Sequence, residues 1–176
     1  MQLRHAAWNL VNWSQQSMLL PNRIRVSILR ALGLQIHPTA AICSRVFIGG
    51  RGLQMGAFSF VNINCFLDGC ASITIGDYVQ FGPNVKLLTG THTINPGVLR
   101  RKGTSEDLHL PIEIKQGSWI GMGAMILPGV TIEEGCVIGA GAVVTRSTEP
   151  NGLYVGCPAR RIRDLPTEPY SDQLAP

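Results

Sequence analysis

The fold of this chain is decided by residues 111–148, PIEIKQGSWIGMGAMILPGVTIEEGCVIGAGAVVTRST, in which a branched aliphatic residue recurs at every sixth position. A small or β-branched residue follows four places after each of them. The aliphatic positions are Ile114, Ile120, Ile126, Ile132, Ile138 and Val144, and the following positions are Ser118, Ala124, Val130, Cys136, Ala142 and Thr148. An α-helix cannot use this period, because six residues turn it through about 600° and scatter the aliphatic side chains around it. A coil of short strands can, since three six-residue units close one triangular turn and stack their aliphatic residues inside it.

The same period is present earlier in the chain. Ile36, Ile42, Ile48, Phe60 and Phe66 share one phase, with Gln54 as the exception, and Ile75, Phe81 and Leu87 resume it after a shift of three residues. We therefore predict one coil over residues 36–163, because repeats of this kind need several stacked copies to bury a core.

The period is interrupted at residues 90–111, GTHTINPGVLRRKGTSEDLHLP. Loops of this length inside a compact domain are uncommon and are usually functional. Binding residues also concentrate on loops that a rigid scaffold holds in place. We expect a functional loop here, the alternative being an insertion without consequence.

The chain before Ile36 has a different pattern. Residues 23–34 carry apolar residues at helical spacing, with three arginines on the other faces and Gly33 as a stop. The apolar residues are Ile24, Ile28, Leu29 and Leu32, and the arginines are Arg23, Arg25 and Arg30. We predict that residues 1–35 form a helical cap over the open end of the coil and that residues 164–176 form a polar tail. Attachment to a membrane surface is the alternative for a basic amphipathic helix with Trp8 and Trp13 upstream.

Composition limits the function classes. Charged residues make up 15% of the chain and the net charge is +4, but the basic residues do not form the aromatic-interleaved patches typical of nucleic-acid binding. The five cysteines are odd in number and contain no C-x-x-C pair, so they predict no zinc or redox framework. No signal peptide and no bilayer-spanning segment is apparent, and we expect a cytoplasmic protein.

Three motifs, together with the six-residue period, resemble the hexapeptide-repeat acyltransferases. They are NINCFLDGCASITIGDYVQFGPNV at residues 62–85, TGTH at residues 89–92, and the stretch from Pro111 to Arg163. Within that family the chain looks like the O-acetyltransferase branch that modifies galactosides, maltose, nodulation factors and exopolysaccharides. The resemblance covers residues 36–163.

The resemblance implies an all-β fold: a left-handed parallel β-helix, the hexapeptide-repeat prism, with a short N-terminal α-helical segment and a long loop near residues 90–111. It also implies a homotrimer whose active sites lie between neighbouring subunits. Acetyl-CoA is the implied co-substrate, lying along the groove between adjacent prisms. No metal is expected, because the chain lacks the three histidines of the related carbonic anhydrase-like branch.

His92, in TGTH, matches the catalytic histidine of the family and is expected to act as the general base. An imidazole suits this role because its pKa lies near neutrality. Direct transfer from acetyl-CoA is expected, since no serine or cysteine occupies a nucleophile elbow. The backbone of the GMGA stretch, residues 121–124, is a candidate for stabilising the thioester oxygen.

The family match also implies residues that contact the substrates. Asn62 and Trp119 are expected near the acceptor, Ala140 and Thr145 near the pantetheine arm, and three arginines near the coenzyme A phosphates: Arg146, Arg160 and Arg163. The arginines suit phosphate because their planar fork matches its oxygens. For Asn62 a buried asparagine ladder is the alternative, and for Trp119 a packing role at a subunit contact.

The acceptor is less clear from the sequence. The galactoside and maltose enzymes carry acidic residues in their N-terminal helical module, whereas this chain has none before Asp68. We therefore expect a saccharide in polysaccharide or glycoconjugate biosynthesis rather than a free sugar. The alternatives are a non-sugar acceptor, such as serine or an antibiotic, and a non-catalytic β-helix scaffold.

Overall fold

The computed structural model of the protein describes residues 2–100 and 106–168. Two helices come first, α1 (Gln2–Gln15) and α2 (Asn22–Ala31). Short strands then follow one another at intervals of a few residues. Three turns of three strands precede the loop: β1 (Gln35–Ile36), β2 (Ala41–Ile42), β3 (Phe47–Ile48), β4 (Leu53–Met55), β5 (Phe60–Val61), β6 (Phe66–Leu67), β7 (Ile73–Ile75), β8 (Gln80–Phe81) and β9 (Lys86–Leu87).

The loop carries two strands of its own, and the coil resumes after it. The loop strands are β10 (Gly90–His92) and β11 (Asp107–His109). Two further turns follow, and the chain closes with a hairpin: β12 (Ile112–Ile114), β13 (Trp119–Ile120), β14 (Met125–Ile126), β15 (Thr131–Ile132), β16 (Val137–Ile138), β17 (Val143–Val144), β18 (Gly152–Gly156) and β19 (Ala159–Asp164).

The strands of successive turns pair in parallel and form the three faces of a prism. Sheet A has the order β1-β4-β7-β12-β15, and sheet C has the order β3-β6-β9-β14-β17. Sheet B has the order β2-β5-β8-β13-β16-β18-β19, in which only the last pair is antiparallel. The predicted left-handed parallel β-helix with a short N-terminal helical segment is confirmed.

The inward aliphatic column forms the core, and its phase differs from the predicted one in the second turn. Ile36, Ile42 and Ile48 are buried as predicted, but the second turn buries Met55, Val61 and Leu67. Phe60 and Phe66 were predicted to point inward and do not; Phe66 instead stacks on Phe47, with ring centroids 4.8 Å apart. Strand β4 has three residues where β1 to β3 have two, and this extra residue moves the inward position from Gln54 to Met55. In residues 114–148 both predicted columns are buried.

The helices cover the open end of the prism. Three side chains of α1 bond to the edge strand β3: Trp8 Nε1 and Asn12 Nδ2 donate to the Ile48 carbonyl at 2.7 and 2.8 Å, and Asn12 Oδ1 accepts from the Ile48 amide at 3.0 Å. Gln15 Nε2 donates to the Val46 carbonyl at 2.6 Å. These bonds satisfy a strand edge that would otherwise be free to pair with another chain. Helix α2 packs against β1 and β2.

The prediction for the face of α2 that turns inward was wrong. Arg25, placed on an outer face from the sequence, is 0% exposed, whereas Ile24 and Ile28 are exposed. The Arg25 guanidinium is buried because backbone carbonyls surround it, including those of Gln15 and Ile42 at 2.6 and 2.7 Å. Helix α1 lies within the predicted cap of residues 1–35 but showed no pattern of its own, because its fully buried positions, Asn12 and Gln15, are polar. Of the predicted polar tail 164–176, residues 169–176 lie outside the described part of the chain.

Candidate functional site

The predicted functional loop leaves the prism at the corner between sheets C and A, between the third and fourth turns. Its two ends form an antiparallel ribbon in which β10 pairs with β11. The register places Gly90 opposite His109 and His92 opposite Asp107. Side chains directly opposite one another lie on the same face of such a ribbon. The pairing therefore brings a carboxylate next to the predicted catalytic histidine from fifteen residues further along the chain.

The imidazole of His92 is half-buried and turns Nδ1 toward this carboxylate. Nδ1 is shielded from solvent and lies 2.6 Å from Oδ1 of Asp107, a close contact that is not well aligned as a hydrogen bond. Catalytic contacts of this kind often become aligned only when substrate is bound. A carboxylate at Nδ1 favours the tautomer that carries its proton there, so that the lone pair is on Nε2. The arrangement can therefore present Nε2 of His92 as a base.

A second carboxylate anchors the strand that carries His92. Oδ2 of Asp68 accepts hydrogen bonds from the Thr89 amide and hydroxyl, both at 3.1 Å, and from the Gly90 amide at 2.9 Å. Burial raises the pKa of Asp68, but hydrogen bonds from Cys70, Gly90 and Thr89 together outweigh it, and its pKa lies below the usual value. Asp68 thus holds the first residues of β10 against the second turn.

The returning end of the loop is held as well, whereas residues 96–100 are exposed. The Leu110 amide donates to the Thr89 carbonyl at 2.8 Å. The Leu110 side chain lies over Gly129, where an added Cβ would be only 3.3 Å from it. Farther out, the loop exposes three large apolar side chains, Ile94, Val98 and Leu99. The base of the loop is fixed to its own chain, and its tip presents apolar surface outward.

Trp119 lies on the outer face of sheet B, away from the loop. It pairs with Gln80 on one side and with Val137 on the other, and its side chain is 57% exposed. The same column continues through Leu153 to Arg163 on the last strand. With strands about 4.8 Å apart, three steps place Trp119 about 14 Å from Arg163 along this face.

An irregularity in the last hairpin sets the direction of its arginines. The register pairs Val155 with Arg160 and Leu153 with Arg163, so Ile162 is the extra residue of a bulge. In a regular strand, residues three apart point to opposite faces. The bulge puts Arg160 and Arg163 on one face. Both are exposed.

The neighbouring Arg161 has a structural role. It pairs with Tyr154 and turns toward the body of the protein. Its guanidinium contacts Asp164 at 2.7 Å and the Tyr154 hydroxyl at 3.2 Å. These contacts raise its pKa, the bond to Tyr154 contributing most. The other two arginines of this strand, Arg160 and Arg163, do not make these contacts, and they are the two predicted to bind phosphate.

The remaining predicted residues lie at corners. Asn62 and Ala140 lie at the corner between sheets B and C, in the second and fifth turns. Oδ1 of Asn62 accepts from the Ile63 amide at 2.8 Å, which leaves its Nδ2 group to donate elsewhere. Thr145 and Arg146 follow β17 at the corner between sheets C and A, the corner from which the His92 loop leaves.

The predicted site residues therefore fall into two groups. The loop group, at the C–A corner, contains His92, Thr145 and Arg146. The face group, on sheet B and its corner with sheet C, contains Asn62, Trp119, Ala140, Arg160 and Arg163. In the triangular cross-section of the prism, sheet B lies opposite the corner between sheets C and A. One copy of the chain does not bring the two groups together.

Most amides of the GMGA stretch are used by the coil itself. Gly121 donates to the Ile138 carbonyl at 2.7 Å, Gly123 to the Pro83 carbonyl at 2.8 Å, and Ala124 to the Gly121 carbonyl at 3.2 Å. These three amides cannot stabilise a thioester oxygen without leaving the coil. Gly121 also has a packing role, because a Cβ there would be 2.7 Å from the backbone nitrogen of Ala140.

Asp107 and Asp68 were missed by sequence reasoning. Asp107 lies in a segment without any period, and only the antiparallel return of the loop reveals its partner. Asp68 had a weak signal, since it is the first acidic residue of the chain and ends an apolar strand. Within residues 2–100 and 106–168, no three His, Cys, Asp or Glu residues form a group that could hold a metal ion. No helix in that part of the chain is long and apolar enough to cross a bilayer.

A left-handed β-helix with a histidine-bearing loop between its turns defines the hexapeptide-repeat class of transferases. The family described as bacterial transferase hexapeptide (six repeats) matches residues 111–146. The galactoside O-acetyltransferase of Lactococcus lactis subsp. lactis is 36% identical over 166 residues, which cover 92% of this chain and 78% of that protein. The chain belongs to the hexapeptide-repeat O-acetyltransferase family, and the resemblance found in the sequence is confirmed.

Two further similarities bear on length and on ligand. A Schizosaccharomyces pombe protein, named as a candidate acetyltransferase, is 49% identical over 120 residues, 68% of this chain and 56% of that protein. The chain thus spans little more than half of that relative. A hexapeptide-repeat acetyltransferase of Vibrio cholerae, solved in complex with acetyl-CoA, is similar with a TM-score of 0.81 and 30% identity, covering 94% of this chain and 88% of that one.

Proposed function

We propose that the protein transfers the acetyl group of acetyl-CoA to a hydroxyl of a saccharide, in the biosynthesis of a polysaccharide or glycoconjugate. The observation that carries the proposal is the contact between His92 and Asp107 at the base of the loop. The relatives support the substrates, since one is named a galactoside O-acetyltransferase and another was solved with acetyl-CoA. We place the reaction in the cytoplasm, where acetyl-CoA is supplied.

In the proposed reaction, His92 Nε2 takes the proton of the acceptor hydroxyl as its oxygen attacks the thioester carbonyl. The new C–O bond forms, the C–S bond breaks, and the proton passes from the imidazolium to the departing thiolate of coenzyme A. Asp107 is a positioning residue that keeps the proton on Nδ1 and orients the ring. General-base catalysis of this kind contributes roughly 10²–10⁴-fold to the rate.

The face group supplies the proposed contacts to both substrates. Arg160 and Arg163 share one exposed face and suit the coenzyme A phosphates. Two residues of the loop group, contributed by the neighbouring subunit, complete the coenzyme site: Arg146 joins these arginines, and Thr145 lines the pantetheine arm together with Ala140 of the face group. For the acceptor we propose the Nδ2 group of Asn62 and the exposed ring of Trp119. Residues 1–35 act as the cap in this scheme, and the catalytic domain spans residues 36–163.

Because the loop group and the face group lie on opposite sides of one prism, we propose a homotrimer with sites between subunits. The loop of one subunit would bring its His92 to sheet B of the next. The exposed apolar loop tip, formed by Ile94, Val98 and Leu99, supports this arrangement, because such side chains gain from burial against a neighbour. Closed symmetry also repeats one contact around the ring.

The first experiment measures thiol release from acetyl-CoA with nucleotide sugars, oligosaccharides, lipid-linked saccharides and serine as acceptors. We expect turnover with a saccharide and a loss of roughly 10²–10⁴-fold in kcat for His92→Ala. His37→Gln is the matched control, since the His37 imidazole bonds to Thr39 at a corner near the cap, away from the loop. Turnover that survives His92→Ala would refute the base, and turnover with serine alone would refute the saccharide. No binding of coenzyme A would favour a scaffold.

The shared site has its own test. His92→Ala is co-expressed with the double variant Arg160→Gln/Arg163→Gln, each inactive or weak when expressed alone. If sites form between subunits, random assembly restores about a quarter of them. These are the sites where an intact His92 from the arginine variant meets intact arginines from the His92→Ala variant. Two copies of the same variant serve as the control. If the mixture shows no activity beyond that of the separate variants while trimers form, the shared site is wrong.

A further inference from the structure

The helical cap exposes an apolar surface on the side that faces away from the coil. Trp13 is 78% exposed and Leu19 is 93% exposed. They lie on a groove of about 520 Å³ that Ser14, Ser17 and Leu20 complete. Further exposed apolar side chains of the cap are Leu10, Met18, Ile24 and Ile28. We call this set, with Trp13 and Leu19, the apolar cap surface.

The connector between the two helices is held rigidly in this exposed position. The guanidinium of Arg25, itself 0% exposed, donates to the Ser17 and Leu20 carbonyls, both at 2.8 Å. The same group also reaches the Ile42 carbonyl of the first turn at 2.7 Å. Leu19 is therefore presented by a fixed backbone, and ordering it on a partner costs little conformational entropy.

The charge around the apolar cap surface has one sign. Residues 1–67 contain no aspartate or glutamate. Arg23 and Arg30 are exposed on α2 and line a second groove, which α2 forms with residues 38–41. Arg45 is exposed next to the connector, where its amide bonds to the Gln16 carbonyl at 3.0 Å. Arg51 is exposed too and lies over the ring of Trp8, 5.6 Å from its centroid.

We propose that the cap docks on the surface of an anionic phospholipid membrane. A tryptophan and aliphatic side chains beside arginines are the combination that binds at the boundary between headgroups and acyl chains. Charge selects the membrane over a second copy of this chain, because two copies that meet through this end would bring uncompensated arginines together. Docking holds the coil beside membrane-bound saccharides; that consequence rests on the proposed function, whereas lipid binding does not.

The test is binding of the full-length protein to vesicles, followed by flotation. The probe is a set of vesicles of equal amounts of phosphatidylglycerol and phosphatidylcholine, compared with phosphatidylcholine alone. We expect binding to the anionic vesicles that falls steeply with added salt, since surface charge is screened within about 10 Å at 0.1 M. Equal binding to both compositions, or no binding to the anionic vesicles at low salt, would overturn the proposal.

Variants separate the contribution of the arginine charges from that of apolar burial. Arg23→Gln/Arg30→Gln should weaken binding roughly 30-fold, at about fivefold for each arginine near an anionic surface. Leu19→Ser should weaken it about tenfold or more through lost apolar burial. Ile162→Ser, which changes an exposed apolar residue at the far end of the prism, is the control and should bind like the wild type. Unchanged binding in both cap variants would refute the assignment of the surface.

Fluorescence distinguishes the membrane from a second copy. Brominated phosphatidylglycerol should quench part of the tryptophan emission, and the quenching should be lost in Trp13→Phe but kept in Trp119→Phe. If Trp13 is instead shielded from a soluble quencher without lipid, and Trp13→Phe changes the oligomeric state, the cap is a protein interface and the proposal fails. Neither vesicle flotation nor tryptophan quenching requires acetyl transfer. If the proposed acetyltransferase function is wrong, the result on membrane binding still stands.

Discussion

Asp68→Asn should weaken catalysis without unfolding the coil, because Asp68 anchors β10 rather than the core. One oxygen of Asp68 accepts three hydrogen bonds of 2.9–3.1 Å from Thr89 and Gly90. Hydrogen bonds to a charged group contribute about 1 kcal/mol more than neutral ones. The site is partly exposed and asparagine keeps one acceptor. We therefore expect the three hydrogen bonds together to lose about 1–2 kcal/mol of stabilising free energy, rather than three times that amount. If this loss falls on the positioning of His92, kcat decreases roughly 5–30-fold.

The assay is steady-state thiol release together with thermal unfolding. The KM for acetyl-CoA should stay near the wild-type value, because the proposed coenzyme contacts lie mainly on sheet B of the neighbouring subunit. Asp77→Asn is the matched control, since Asp77 accepts from the Ala57 amide at another corner of the prism. A kcat of Asp68→Asn within about twofold of wild type would refute the anchoring role. A general loss of thermal stability would assign Asp68 to the core instead.

The pH dependence of this anchor follows from the lowered pKa of Asp68. A carboxyl group with a folded pKa below its unfolded value, about 3.9, stabilises the fold fully above that value. The contribution is lost only as the pH falls through the lower folded pKa. The difference in activity between wild type and Asp68→Asn should therefore be constant across neutral and mildly acidic pH. A difference that disappears near pH 6 would contradict the assignment.

Three further results are expected. Asp107→Asn should lower kcat about tenfold, a smaller decrease than that of His92→Ala, because the Asp107 carboxylate is 65% exposed and screened. The effect is measured as a kcat–pH profile. Arg25→Met should lower the free energy of unfolding by about 3 kcal/mol in urea, because several buried carbonyls lose their donor. A thiol reagent at pH 8 should modify exposed Cys157 quickly and leave Cys65 unreacted, because burial raises the pKa of Cys65 to about 11.

Each of these has a control in the same chain. Glu106→Gln changes the carboxylate next to Asp107 and should keep the wild-type pH profile. Arg30→Met removes an exposed arginine of the same helix and should leave the unfolding free energy within about 0.5 kcal/mol of wild type. The double variant Cys70→Ser/Cys157→Ser, which lacks both exposed thiols, should abolish the fast phase of thiol modification. A fast phase that persists in this double variant would contradict the burial of Cys65. An Arg25→Met protein as stable as wild type would contradict the burial of Arg25 among its carbonyl partners.

The direction of the arginines proposed to bind coenzyme A could not be predicted from the sequence. The guanidinium chemistry of Arg160 and Arg163 was evident from the residue types, but their common direction depends on the bulge at Ile162. Without that bulge the alternation of a strand would point them to opposite faces. Arg161, between them in a run of similar residues, is instead bound to Asp164 and Tyr154. Nothing local distinguishes the three, because the difference arises from pairing with β18.

The sequence by itself determined the coil, because a period of six residues with aliphatic and small positions satisfies no other regular structure. It also marked His92, through the motif at the point where the period breaks. Only the tertiary structure decided what surrounds that histidine. Asp107 reaches it by strand pairing across the loop, and Asp68 reaches Thr89 and Gly90, just before it in the chain, by stacking of one turn on the next. Both contacts join residues far apart in sequence, and no local pattern records such pairing.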